Sequence, residues 1–215
     1  MNPVTPEHPE IILASGSPRR KELVERIGFE PVVRVSSIPE ERHSGESPSD
    51  YALRLAGEKA RHVAAELEED DQLPGWILSA DTIVVHHDEV LEKPDDEDHA
   101  IEMLQRLSGQ QHEVITSYCW LWRDPTGEGT GGFARAGWVS TDVWLRELDD
   151  EMIERYVATG EPMDKAGSYG IQKLGGVLVR RLEGSYFCVM GLPVCEVVEV
   201  LQQLGGLEAY PFGKP

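Results

Sequence analysis

The stretch that most constrains this 215-residue sequence is its first apolar one. Residues 11–14 (IILA) are continuously apolar and stop at Ser15-Gly16-Ser17-Pro18, after which Leu23, Val24 and Ile27 recur at helical spacing up to Gly28. Four apolar residues closed by turn formers read as a short buried strand. Ser17 is placed to cap the following helix, and Pro18 suits its first turn, where a missing N–H costs nothing. A buried strand that feeds a capped helix at once is a unit of an α/β chain.

The rest of the sequence repeats the alternation. A strand is expected around 32–35, then a polar loop, then a helix opened by Ser47-Pro48 with Ala52, Leu55, Ala56, Val63 and Leu67 inward. WILSA (76–80) and TIVV (82–85) read as strands with Asp81 lodged between them. Helical spacing covers 94–107 and closes at Gly109, and residues 112–122 and 138–146 read as two long strands. The intervening PTGEGTGG (125–132) is a turn-forming loop. A short helix over 149–157 ends by Gly160, residues 169–190 are glycine-rich and expected to be extended, and Pro193 starts a last helix. The long antiparallel pair among the other elements predicts a mixed sheet. No internal repeat or linker divides the chain, so a single domain over 11–207 is expected, with tails at 1–10 and 208–215.

Composition narrows the partners. Thirty-nine acidic against 20 basic residues give a formal charge of −19. Such a field repels nucleic acid polymers, while a small polyanion is accessible wherever basic residues gather locally. The acidic runs at 66–71 and 95–98 are most simply solvated faces or helix starts. No stretch approaches the roughly 18 apolar residues of a membrane span, and the acidic, apolar-poor MNPVTPEHPE is no secretory signal. Cys119, Cys188 and Cys195 have no metal-type spacing, which suits reduced thiols and a cytoplasmic location.

Several residues point to anion chemistry. The Ser15–Arg20 turn ends a strand and starts a helix with free N–H groups, a generic anion site. Arg19 and Arg20 stand about 100° apart on the helix and are able to grip a phosphate chain from two sides. The same segment is also consistent with a capped helix whose arginines pair with surface carboxylates. It lacks the Walker and dinucleotide glycine patterns. Asp81 interrupts an apolar run, so its carboxylate needs a metal, a cation or hydrogen-bond donors. Lys59 lies on the inward side of its helix, or covers apolar surface with its stem. Lys93 is held extended by Pro94 at a helix entrance, or belongs to an ordinary loop. In Asp164-Lys165-Ala166-Gly167-Ser168-Tyr169-Gly170-Ile171-Gln172, the glycines permit close approach of a ligand. Gln172 carries both an acceptor and donors, as a nucleobase edge requires. A glycine-punctuated hairpin is the plainer reading of that segment. His86 and His87, adjacent in a strand, are expected on opposite faces and unable to chelate one ion, and the seven histidines as a set to be solvated or capped.

Taken in order, these pieces resemble the Maf family of nucleotide pyrophosphatases. The matching stretches are LASGSPRRKEL (13–23), ESPSDYALRLAGEKA (46–60), SADTIVV (79–85), EKP (92–94), HEVITS (112–117), GEPMDKAGSYGIQ (160–172) and EGSYFCVMGLP (183–193). The resemblance implies a strongly twisted mixed sheet of the Maf and inosine triphosphatase type, flanked by helices, with two lobes around a substrate cleft. It implies hydrolysis of nucleoside triphosphates between the α- and β-phosphates, a divalent cation (Mg²⁺ or Mn²⁺) and commonly a homodimer. By position it makes Asp81 the catalytic carboxylate and Glu40 a second one, both also candidate metal ligands. It assigns Ser17, Arg19 and Arg20 to the phosphate-binding turn and Lys59 and Lys93 to phosphate-facing lysines. Arg19, Thr82 and Gln172 resemble the dTTP/UTP branch rather than the 7-methyl-GTP branch, and Asp164 and Lys165 fall in the substrate-binding segment. The family's older association with cell division leaves a non-catalytic nucleotide-binding regulator as the rival class. Pro39 stands where an Asp is common, and Lys173 where a glycine is usual.

Overall fold

The computed structural model describes residues 10–67, 75–122 and 134–207, so the 125–132 loop and most of both expected tails lie outside the described residues. Seven strands form one mixed sheet. They are β1 (Glu10–Leu13), β2 (Glu30–Val33), β3 (Trp76–His86), β4 (Glu89–Leu91), β5 (Gln111–Trp122), β6 (Ala134–Leu145) and β7 (Val179–Glu183). Their order is β2-β1-β3-β5-β6-β7, with β4 also on β3. β1 runs parallel to β2 and β3, and the other pairings are antiparallel. The α/β class and mixed sheet agree with the sequence reading.

The helices are α1 (Pro18–Arg26), α2 (Pro48–Glu66), α3 (Glu97–Leu107), α4 (Asp150–Val157), α5 (Tyr186–Met190) and α6 (Val194–Gln203). The first four are capped as their sequences dictate: Ser17, Ser47, Asp96 and Asp149 each accept from a backbone N–H three residues on. The capping residue of α3 is Asp96, so that helix begins later than the spacing from 94 suggests.

Side chains alternate along β3, and each face has its own cover. Ile77, Ile83 and Val85 pack beneath α2 with Ala52, Leu55, Ala56, Ala60 and Val63. On the opposite face lie two apolar clusters. One joins Ile11, Leu13, Leu23, Leu78 and Trp120 to α6 through Val197 and Leu201, and the Trp120 indole N–H donates to the Val197 carbonyl at 2.8 Å. The other joins Val84, Val114 and Val143 to Leu104 and Leu107 of α3 and Ile153 of α4. No described helix is long and apolar enough to cross a membrane.

Three local expectations change. β3 runs without a break through Asp81, because the Asp81 backbone stays in register with Ser117 of β5 and only the side chain requires special provision. Residues 169–190 are not simply extended: 3₁₀ turns, β7 and α5 follow one another there, since repeated glycines admit tight turns that an alternation pattern does not reveal. His87 is not in a strand. His87 and Asp88, at φ 51° and 63°, form the two-residue turn between β3 and β4, a hairpin without the usual Asn-Gly signature. The turn brings the two rings together, with the His86 and His87 centroids 4.0 Å apart, and His86 and His112 are buried rather than solvated.

Candidate active site

The topology leaves a notch in the sheet. β5 occupies one edge of β3 from Trp76 to Val85. On the other edge β1 pairs only as far as Leu78, and β4 begins only at Val84. Residues 79–83 therefore have no strand beside them on that edge. β1 runs parallel to β3 and β4 antiparallel, so the chain leaving each is aimed into the notch from opposite directions. β1 delivers Ser15-Gly16-Ser17 and the N-terminus of α1, and β4 delivers Glu92 and Lys93. Asp81 and Thr82 lie between them. Strand ends that open onto a gap in an α/β sheet are where ligands of such folds bind.

A cavity of about 1050 Å³ occupies this place and is lined by members of both apolar clusters. All eleven residues singled out from the sequence line it: Ser17, Arg19, Arg20, Glu40, Lys59, Asp81, Thr82, Lys93, Asp164, Lys165 and Gln172.

Asp81 points to the α2 side and is 5% exposed, while Lys59, one inward position of α2, is 8% exposed. The Lys59 Nζ donates to Asp81 Oδ1 at 2.7 Å and stands 2.8 Å from Glu40 Oε1. An unpaired charge at this depth costs several kcal/mol, so the Lys59 ammonium is what makes the buried Asp81 carboxylate tenable, and Asp81 in turn compensates Lys59. Glu40 remains the more solvated arm of the triad, with 43% of its side chain exposed.

Thr82, the next residue, points to the opposite face and meets Arg20. The Arg20 guanidinium donates to Thr82 Oγ1 at 2.9 Å, to Ser15 Oγ at 3.1 Å and to the Gly191 carbonyl at 2.8 Å. Burial lowers its pKa, and Asp81 opposes that shift. Gly191, at φ 106°, ends α5 in the left-handed region, and a Cβ there would lie 3.4 Å from Thr82 Oγ1. The two arginines therefore divide their duties. Arg20 ties β3, the first turn and the end of α5 together, while Arg19 reaches across the cavity to Asp164 Oδ2 at 3.3 Å. Lys165 holds the same carboxylate at 2.5 Å and also donates to the Glu161 carbonyl oxygen.

Glu92, within the EKP motif, is a site residue that no sequence pattern singles out. Glu92 is a third carboxylate on the cavity wall. Tyr51 of α2 donates to Glu92 Oε1 at 3.0 Å and lies 2.9 Å from the Glu40 carbonyl, so one buried phenol ties the Glu40 and Glu92 segments together. Desolvation raises the Glu92 pKa; Tyr51 pulls it back, and the charges of Asp81 and Glu40 raise it further. The available sign was the apolar spacing that puts Tyr51 on the buried face of α2.

The chemistry of the cavity is thus two-sided. One wall carries carboxylates and Lys59; the other carries the α1 turn, Arg19 and the 164–172 segment with its amide side chain. The chain matches the Maf-like protein family over residues 10–204. It is 49% identical over 201 residues to a dTTP/UTP pyrophosphatase of Geobacter sulfurreducens, covering 94% of this chain and 100% of that one. It is 47% identical over 199 residues to a dTTP/UTP pyrophosphatase of Escherichia coli strain K12, covering 92% of this chain and 94% of that one. Among solved structures, the Ham1 protein of Staphylococcus aureus aligns with a TM-score of 0.35 and 13% identity over 62% of this chain and 71% of that one. A family match that spans nearly the whole chain, with relatives this similar along almost their entire length, establishes that the protein belongs to the Maf family.

Proposed function

We propose that this protein hydrolyses nucleoside triphosphates, dTTP and UTP foremost, to the monophosphate and pyrophosphate. The observation that carries the reading is the pairing, across one cavity, of the Asp81–Lys59–Glu40 triad with the α1 turn and Gln172. The names of the relatives support the substrate class.

Among the described residues no group of three His, Cys, Asp or Glu side chains could hold a metal ion by itself. Mg²⁺ or Mn²⁺ needs only one or two protein carboxylates when phosphate oxygens and water complete the shell. Asp81 and Glu40 are hard oxygen donors and would hold such an ion. The bound cation would supply neutralisation of charge on the polyphosphate.

The chain's own groups account for the rest. Asp81 orients a water against the α-phosphorus and takes its proton as the oxygen attacks; the bond from the α-phosphorus to the bridging oxygen breaks, and pyrophosphate leaves. Lys59 holds the carboxylates in place against their mutual repulsion. Arg19, through its guanidinium and its backbone N–H in the first turn of α1, and Lys93 stabilise the negative charge that accumulates on the departing pyrophosphate. Ser17 shapes that turn as its cap. Asp164 and Lys165 set the reach of Arg19 across the cavity. Gln172 accepts from the ring N–H of uracil or thymine and donates to a ring carbonyl, a pattern the two bases share. The same reading makes the enzyme a cytosolic homodimer; sedimentation of the pure protein tests the dimer, and fractionation of cells tests the location.

The deciding assay is pyrophosphate release from dTTP, UTP, CTP and 7-methyl-GTP, each with Mg²⁺ and with Mn²⁺. Turnover of dTTP and UTP above the others is expected. Saturable nucleotide binding without product would instead make the protein a regulator, and preference for 7-methyl-GTP would move it to the other branch.

A further inference from the structure

The segment that brings Gln172 to the cavity holds an unfavourable backbone. Ser168 and Lys173, neither of them glycine, sit at φ 60° and 54°, and Gly167 at φ 66°. A Cβ on Gly167 would lie 3.0 Å from both methyl groups of Val84, so the segment is pressed onto β3. Such conformations persist only where neighbouring contacts over-determine them. The Gly167 N–H donates to the Glu92 carbonyl at 3.1 Å, the Ser168 hydroxyl to Met103 Sδ at 3.1 Å, and the Gly170 N–H to the Tyr156 hydroxyl at 3.3 Å.

One anchor differs from these. The Tyr169 hydroxyl lies 2.7 Å from His112 Nε2, both residues are buried, and the rings meet edge to face at 5.3 Å. His112, the second residue of β5, does not itself line the cavity, whereas Tyr169 does. Its Nδ1 is buried without a hydrogen-bond partner, so the Tyr169 hydroxyl is the sole side-chain partner of this imidazole among the described residues. Burial, and then the neighbouring His86, hold the His112 pKa down to about 3, which keeps the ring neutral at working pH. A neutral ring with one partner is a fixed point rather than a proton relay. Breaking the contact would strand both ring nitrogens in the core.

We infer that His112 is a positioning residue for the pyrimidine end of the substrate, acting through the Tyr169 hydroxyl to hold residues 170–172 against the cavity. The inference rests on the proposed reading of the base by Gln172, three residues beyond the anchor. The pair makes no contact with Asp81, Glu40 or Lys59, so its effect falls on substrate affinity and not on the chemical step.

The test is steady-state kinetics with UTP on the full chain carrying Tyr169→Phe, His112→Phe, both together, or His112→Gln, with amide hydrogen exchange at residues 170–172. Loss of one buried hydrogen bond predicts a KM for UTP raised about tenfold, with kcat within about twofold of the parent. The double variant should lose no more than either single one, since all three remove the same contact and the double strands no polar atom. His112→Gln, whose side-chain amide reaches the place of Nε2, should recover most of the loss, and exchange at 170–172 should quicken in Tyr169→Phe. A Tyr169→Phe protein with normal KM and a lowered melting temperature would show a merely structural pair and overturn the inference. So would unchanged exchange at 170–172, whatever the kinetics. If Gln172→Ala leaves UTP kinetics untouched, the base-reading assignment alone fails, and the exchange result still decides the positioning role.

Discussion

Replacing Asp81 by Asn removes one charge and almost no volume from the centre of the cavity. The loss of a buried partner usually costs about 3–5 kcal/mol, because the other charge is left uncompensated. Here the penalty is smaller. Lys59 keeps Glu40 at 2.8 Å, and the Asn carbonyl oxygen can still accept from the ammonium where Asp81 Oδ1 accepts at 2.7 Å. A cost of about 1–2 kcal/mol follows, the worth of exchanging a charge-assisted hydrogen bond for a neutral one. At about 2–4 °C per kcal/mol for a chain of this size, the melting temperature should fall by roughly 2–8 °C. Catalysis should suffer far more, because an amide cannot take the proton of the attacking water. A loss of about 10²–10⁴ in kcat is the ordinary worth of a positioned general base. Pyrophosphate release and a thermal scan on the same preparation separate the two effects. A kcat within about tenfold of the parent would refute the role given to Asp81. A melting temperature lowered by much more than the stated range would show that Glu40 does not back up the pair.

Gln172→Glu removes the NH₂ donor and adds a negative charge beside carbonyl oxygens, so kcat/KM for UTP should fall by about tenfold or more. Unchanged UTP kinetics would remove Gln172 from base recognition. A pH test addresses the loop that carries Glu40. Arg54 of α2 clamps Glu46 at 2.7 Å and lowers its pKa from 4.5 to about 2, and it also donates to the Glu41 carbonyl. A carboxylate with a lowered folded pKa adds stability above its unfolded value and loses it on acidification. The melting temperature of Glu46→Gln should therefore lie below that of the parent at neutral pH, and the gap should close as pH falls from 4.5 to about 2. A gap that persists at the acid end would contradict the ion-pair account.

Local features were legible in the sequence because their causes are local. Ser17, Ser47 and Asp149 cap helices through hydrogen bonds that span three residues, and Pro18 and Pro48 fit first turns by their own ring geometry. The anomaly of Asp81 was legible as well, because a carboxylate inside an apolar run announces that something must compensate it. The β3–β4 hairpin was not, since His87-Asp88 adopts left-handed conformations without the residues that normally signal them. Nor was the mixture of turns, strand and helix over 169–190, where glycine permits many conformations and selects none.

The sequence by itself determined the α/β alternation, the formal charge of −19 and the set of side chains brought to the site. Only the tertiary structure decided which of them act on each other. Lys59 and Asp81 are 22 residues apart, and their pairing depends on α2 lying across the face to which Asp81 points. Arg19 and Arg20 look alike as neighbours, yet one bridges the cavity and the other is spent on Ser15, Thr82 and Gly191. Glu92 lines the cavity, and His112 reaches Tyr169 behind its wall, because β4 and β5 flank the same stretch of β3. Hydrogen-bond caps and periodicity act over a few residues, whereas desolvation and charge pairing depend on what the whole fold brings within a few ångströms.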